Sequence, residues 1–211
     1  VVAVNYGAAR VIGDPIELKY NERDLETCKH VVETYCRSKR IAVQAGGCYG
    51  VFPKWLSKKF DCVYTFEPSP ELFNTLTINV PEHNVIKLQA AIGRDRKRMV
   101  RPVLALRAGK RVLHPGMTRV EANGGFIPTL RLDDLGVDSC DLLYLDIEGD
   151  ELLALQGAQA TIAAHRPVVV CEINSSLEER GYQRYDIFAY LRELGYIQTE
   201  MIHSDVVFIP Q

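Results

Sequence analysis

A chain of 211 residues, 47% hydrophobic and 25% charged, is long enough for one well-buried core, and its ordinary composition excludes disorder as the main state. Its net charge of -2 excludes a surface that binds nucleic acid over its whole extent, so such a role would need a local patch. No apolar run reaches the ~18 residues of a membrane span, and no signal-peptide pattern is present.

Cysteines at 28, 36, 48, 62, 140 and 171 form no Cys-x-x-Cys pair. They read as buried free thiols in a reducing compartment and predict a cytoplasmic protein, although their even number alone leaves bridges open. The chain opens on Val1 rather than Met, which predicts residues upstream of it.

Residues 1–20 mix apolar positions with Asn5, Gly7, Gly13 and Pro15 and predict one or two short strands or an irregular lead-in. From 21 to 39, Leu25, Cys28, Val31, Val32, Tyr35 and Cys36 recur at helical spacing, so a helix covers one face of a sheet. Residues 1–40 thus form a lead-in and covering helix, and 41–211 the main domain. Residues 41–45 read as a central strand, followed by Gly46, Gly47 and Gly50 and a helix over 50–59. Missing Cβ atoms let a ligand approach the backbone, and the helix start offers unpaired N–H groups. The spacing is not Gly-x-Gly-x-x-Gly, so the glycines alone also fit a plain tight turn.

A second strand over 62–67 ends in Glu67, and a helix follows over 71–79. Glu67 lies roughly 20 residues past the glycine turn, where nucleotide-binding α/β units place an acid for ribose hydroxyls. A third strand covers 85–91. Strands separated by helices predict a parallel sheet with right-handed crossovers.

Residues 94–125 break this rhythm. Arg94, Arg96, Lys97, Arg98, Arg101, Arg107, Lys110 and Arg111 face only Asp95 in their interval. The stretch is either a solvated basic insert or a patch for a phosphate, a polyanion or nucleic acid, and no interleaved aromatic residues support base stacking. His114, beside Pro115 and Gly116, is an exposed loop histidine or a base on a mobile loop.

Residues 129–135 predict a short strand leading into a turn. The apolar run 141–148 ends in Asp146 and Glu148, and a helix with Leu152, Leu153 and Leu155 follows. Acids at the carboxyl end of a parallel strand point to the same crevice as the glycine turn. Asp146 and Glu148 share a face if the strand persists; the alternative is that one caps the helix. A further strand over 167–174 ends in Glu172 and Asn174, and the polar stretch 175–184 predicts a flexible loop over the site. A helix over 186–194 and strands over 196–200 and 205–209 complete the chain. The short link between the last two predicts an antiparallel edge on a mainly parallel sheet.

These features together resemble class I methyltransferases that use S-adenosylmethionine. Val63-Tyr-Thr-Phe-Glu-Pro-Ser-Pro70 with Asn79, Leu130-Arg-Leu-Asp-Asp-Leu135, Leu143-Tyr-Leu-Asp-Ile-Glu-Gly-Asp-Glu151 with Leu155-Gln-Gly-Ala158, and Pro167-Val-Val-Val-Cys-Glu172 are similar to motifs of the FkbM family, from about residue 40 onward. The resemblance implies a Rossmann-like sheet of order 3-2-1-4-5-7-6 with strand 7 antiparallel, and methyl transfer, commonly onto a hydroxyl oxygen. It implies that Gly46, Gly47 and Gly50 cradle the cofactor and that Glu67 accepts hydrogen bonds from the ribose. Gln89 and Ala90 would lie near the adenine, and Asp146 near the methionine end or the acceptor. Gln44 stands where the family usually carries aspartate, and Gly47-Cys48 replaces an alanine-asparagine pair. Gln44 brings no charge toward a cofactor amine or sulfonium, which predicts weakened affinity or a repurposed site. The basic insert matches nothing closely.

Methyl transfer to a hydroxyl requires alignment, exclusion of water and removal of a proton. Asp146, Glu148 and Glu172 are the candidate bases, and Asn174 would orient the acceptor. The same three acids could hold a divalent cation, but metal-independent chemistry is the expectation, since no acid–histidine ligand spacing stands out. The expected substrate is a saccharide-like or small hydroxyl acceptor. Alternatives are a nucleic-acid or nucleotide-linked substrate held by the insert, an NAD-dependent oxidoreductase using Glu67, and a catalytically degenerate binding module.

Overall fold

The computed structural model describes residues 2–6, 9–13, 15–95, 99–104, 106–107, 110–111, 118–121 and 125–211. The chain opens with an antiparallel hairpin of β1 (Val2–Tyr6) and β2 (Ala9–Gly13), then α1 (Pro15–Tyr35). The helix starts earlier than the apolar periodicity indicates, because Pro15 fits a first helical position and Glu17, Leu18 and Lys19 are good helix formers. It also stops before residue 39. The chain must leave the helix to reach Asp141, whose Oδ2 accepts from Ser38 Oγ at 3.2 Å and Arg40 N at 2.7 Å.

Two β-α units and a further strand follow: β3 (Ile41–Ala45) with α2 (Val51–Leu56), β4 (Cys62–Phe66) with α3 (Pro70–Asn79), and β5 (Val85–Leu88). The predicted third strand is divided between two sheets. After β5 the chain passes Gln89 and Ala90 and enters β6 (Ala91–Ile92) of a smaller sheet. Next come β7 (Met99–Leu104), β8 (Leu106–Arg107), β9 (Lys110–Arg111), β10 (Thr118–Glu121) and β11 (Ile127–Leu130), then a 3-10 turn over Leu132–Asp134. Of the described residues of the insert, those of β7 and β10 join the small sheet of order β10-β7-β11-β6, which has Ala91, Val100, Val120 and Ile127 as its core, and β8 pairs with β9 apart from it. Arg96, Lys97, Arg98 and His114 lie outside the described residues.

The second half adds β12 (Leu142–Leu145), α4 (Glu151–Gln156), α5 (Gln159–His165), β13 (Val168–Glu172), α6 (Ser175–Glu179), α7 (Arg184–Glu193), β14 (Tyr196–Ile202) and β15 (Asp205–Pro210). The main sheet has seven strands in the order β14-β15-β13-β12-β3-β4-β5. Numbered among themselves, these strands read 3-2-1-4-5-7-6 from the β5 edge, and β15 is antiparallel to both neighbours. Apolar layers lie on both faces, one including Val31, Leu76 and Tyr144, the other Leu143, Leu155 and Phe208. Among the described residues no helix is long and apolar enough to cross a membrane.

Two local expectations change. The fourth core strand ends at Leu145, and Glu148 takes a left-handed backbone, φ 58, so strand alternation does not relate it to Asp146. The stretch 175–184, expected to be a loop, contains α6, which forms because the Asn174 side chain caps it by accepting from Ser176 N at 2.7 Å.

Candidate active site

Register explains why distant residues meet. Ala45 pairs with Phe66 and Leu145, Leu145 pairs with Cys171, and Glu172 pairs with Asp205. The next residue along each parallel strand therefore falls on one row: Glu67, Gly46, Asp146 and Glu172, with Asp205 beside the last. The row runs along the carboxyl ends of the parallel strands, where open α/β sheets form their ligand crevice.

Gly46, Gly47 and Gly50 leave no room for larger residues. A methyl group on Gly46, φ 93, would run into the Asp146 carbonyl; one on Gly47 would meet Leu76 and Thr65; one on Gly50, φ 84, would meet Val80. The turn is fixed peptide by peptide. Gly46 N and Gly47 N donate to Phe66 O at 3.1 and 2.8 Å, and Gly50 N donates to Gly47 O at 2.8 Å. Gln44 Nε2 donates to Gly46 O at 2.8 Å, while Gln44 Oε1 accepts from Thr65 Oγ1 at 2.7 Å. Gln44, only 1% exposed, thus uses both ends of its carboxamide as a brace beneath the turn.

Glu67 is buried, and its two oxygens accept from Cys48 N and Ser69 N, each at 2.8 Å. Burial pushes its carboxyl up to about 7, against the pull of those two backbone donors. Each carboxylate oxygen can accept two hydrogen bonds, so one donor apiece leaves capacity for two ribose hydroxyls. Gln89, exposed, and Ala90, buried, follow β5, whose Leu88 O accepts from Glu67 N at 3.1 Å. They therefore sit on the Glu67 side of the crevice.

On the other side of Gly46, Asp146, Glu148 and Glu172 bring one oxygen each within 4.8 Å of one another. Burial, then the charges of Glu172, Glu148 and Asp205, and a hydrogen bond with Glu172, raise the Asp146 carboxyl well above its usual range. Glu172 accepts from Asn174 Nδ2 at 2.7 Å and Ser204 Oγ at 3.1 Å, and Glu148 accepts from Ser176 Oγ at 2.8 Å. Such a cluster can share protons or hold a divalent cation through oxygen. Asn174 both caps α6 and holds Glu172.

Several participants escaped the sequence reading. Tyr144 OH donates to Asp205 Oδ2 at 2.6 Å, and burial lifts the Asp205 carboxyl to about 7. Glu151 Oε1 accepts from Ile147 N at 3.0 Å and Gly149 N at 3.3 Å, bracing the turn after β12, and burial lifts this carboxyl to about 8. Arg180 joins Asp150 Oδ2, at 3.2 Å, to the Val120 carbonyl, and Arg119 pairs with Glu179, so the small sheet is tied to the acid side. The register of β13 with β15 is the only signal for Asp205, and it requires the fold.

The cradle and the Glu67 carboxylate fit the adenosine and amino-acid parts of S-adenosylmethionine. Residues 48–197, well over half the chain, match the Methyltransferase FkbM domain. Comparison with curated proteins gave no match. Among solved structures, the chain superposes on a methyltransferase FkbM from Methylobacillus flagellatus KT with a TM-score of 0.55 at 19% identity, covering 82% of this chain and 43% of that one. This chain thus spans less than half the length of that relative. Magnesium protoporphyrin IX methyltransferase from Synechocystis PCC 6803, with bound S-adenosylhomocysteine, superposes with a TM-score of 0.53 at 10% identity, covering 95% of this chain and 89% of that one. At these identities the superpositions show a shared fold, and the domain match makes the chain a member of the FkbM family of class I S-adenosylmethionine-dependent methyltransferases.

Proposed function

We propose that this protein transfers a methyl group from S-adenosylmethionine to a hydroxyl oxygen of a small or saccharide-like acceptor. The observation that carries the reading is the row Glu67–Gly46–Asp146–Glu172. A buried carboxylate with spare acceptor capacity lies on one side of the glycine turn, and a cluster of three carboxyls, Asp146, Glu148 and Glu172, lies on the other.

When bound, S-adenosylmethionine supplies an activated methyl group. The chain's task is to hold and align the reactants, exclude water and take up a proton. Glu67 anchors the ribose, and the glycine turn, packed as tightly against Asp146, Leu76 and Val80 as only glycine allows, holds the backbone beside the cofactor. The Asp146–Glu172 pair, in its ionised form, receives the proton released by the acceptor hydroxyl. The raised affinity of Asp146 for protons brings it closer to what a base at neutral pH needs than an ordinary carboxylate would be. Glu148, held by Ser176, and Glu172, held by Asn174 and Ser204, orient the acceptor.

The six free cysteines support a reducing compartment such as the cytoplasm. Incubation with methyl-labelled S-adenosylmethionine and a panel of saccharides and small alcohols tests the proposal. Label should pass to an acceptor oxygen, and Asp146→Asn should slow transfer by about 100-fold or more. No cofactor binding and no transfer to any acceptor would overturn the reading, and a thermal shift with NAD instead of S-adenosylmethionine would replace it with a nicotinamide enzyme.

A further inference from the structure

A single buried side chain ties three otherwise separate segments together at the back of the glycine turn. Asn79, the last residue of α3, is 3% exposed. Its Oδ1 accepts from Ile12 N at 2.8 Å, and its Nδ2 donates to Ile12 O at 2.7 Å and to Tyr49 O at 2.8 Å. Toward Ile12 the carboxamide acts as a strand would, taking both backbone groups of one β2 residue. Toward the turn it fixes the peptide between Tyr49 and Gly50, whose other end is held because Gly50 N donates to Gly47 O at 2.8 Å. Leu76, one turn before Asn79 on α3, and Val80, just past its end, are among the side chains that a methyl group on Gly47 or Gly50 would meet. Val11, next to Ile12, is buried in the same apolar layer as Leu76, Val80 and Tyr49.

We infer that Asn79 is a positioning residue for the cofactor site, and that its carboxamide couples docking of the N-terminal hairpin to the affinity of the glycine turn for S-adenosylmethionine. The coupling is one of linkage. The peptide that Asn79 orients belongs to the cradle, so a hairpin that holds Asn79 in place pre-organises the cradle. By reciprocity, a ligand in the cradle holds the hairpin. The inference rests on the reading of residues 46–50 as the cofactor cradle.

Two variants separate the links. Asn79→Ala removes all three hydrogen bonds. Ile12→Pro removes the N–H given to Asn79 Oδ1, together with the isoleucine side chain, and keeps the carbonyl that accepts from Asn79 Nδ2 and the Tyr49 link. S-adenosylhomocysteine is titrated calorimetrically into the full chain and both variants, and hydrogen exchange of residues 9–13 is followed with and without it. The wild type should bind, with exchange at 9–13 slowed by ligand. Asn79→Ala should bind about tenfold more weakly and lose the ligand-dependent slowing, and Ile12→Pro should bind about threefold more weakly. A purely structural Asn79 would lower the melting temperature while leaving affinity and ligand-dependent protection unchanged, and that result overturns the coupling. Absence of binding by the wild type overturns the cradle reading and the coupling with it.

Discussion

Gln44 sits where a charged residue was expected to meet the cofactor, yet its carboxamide serves the turn itself. One end donates to Gly46 O and the other accepts from Thr65 Oγ1. A carboxylate here could not donate to Gly46 O and would be buried, so Gln44→Glu should destabilise the fold by about 2 kcal/mol or more, measured by urea unfolding. Equal or greater stability would show that the brace is dispensable. Glu67 makes a second residue-scale prediction through protonation. With its carboxyl at about 7, only the ionised fraction presents two full acceptors to the ribose. Apparent affinity for S-adenosylhomocysteine should therefore rise about tenfold between roughly pH 6 and pH 8. The rise should vanish in Glu67→Gln, and a flat wild-type profile would contradict the assignment. The sequence made Glu67 legible through its distance from the glycines. Asp205 was illegible, because it reaches the acids only through an antiparallel strand pairing more than 30 residues away in the chain.

At the scale of elements, the central strands were plain from their apolar runs and closing acids, and so were the helices between them. What periodicity could not show was where a strand changes partner. β5 and β6 form one apolar stretch in sequence, yet Ala91 pairs with Thr129 in the small sheet. That sheet leans on the acid side through Arg180, which bridges the Val120 carbonyl and Asp150. Removing the bridge should loosen this wall of the crevice while leaving the cofactor cradle alone. Arg180→Ala should raise the acceptor KM by about tenfold with little change in affinity for S-adenosylhomocysteine. A loss confined to cofactor affinity would place the small sheet's influence elsewhere.

Across the whole molecule, several carboxyls are held above their ordinary range: Asp146, raised by burial and its acidic neighbours, Glu67 and Asp205 at about 7, and Glu151 at about 8. Each binds its proton more tightly folded than unfolded. The stability they contribute is complete below the unfolded carboxyl range and lost as pH rises through the folded values. The melting temperature of the free protein should therefore fall between about pH 5 and pH 8. Asp141, which burial alone would raise, is lowered overall by hydrogen bonds from Arg40 and Ile41 and by the Arg40 charge, and works in the opposite sense at acid pH. Cofactor held at Glu67 should offset part of the loss at neutral pH, joining stability to function in one group. Calorimetric titration of S-adenosylhomocysteine into the wild type and Glu67→Gln tests this account most directly. It predicts saturable one-to-one binding by the wild type, weakened about tenfold or more in the variant. No binding by the wild type, or equal binding by both, would contradict it.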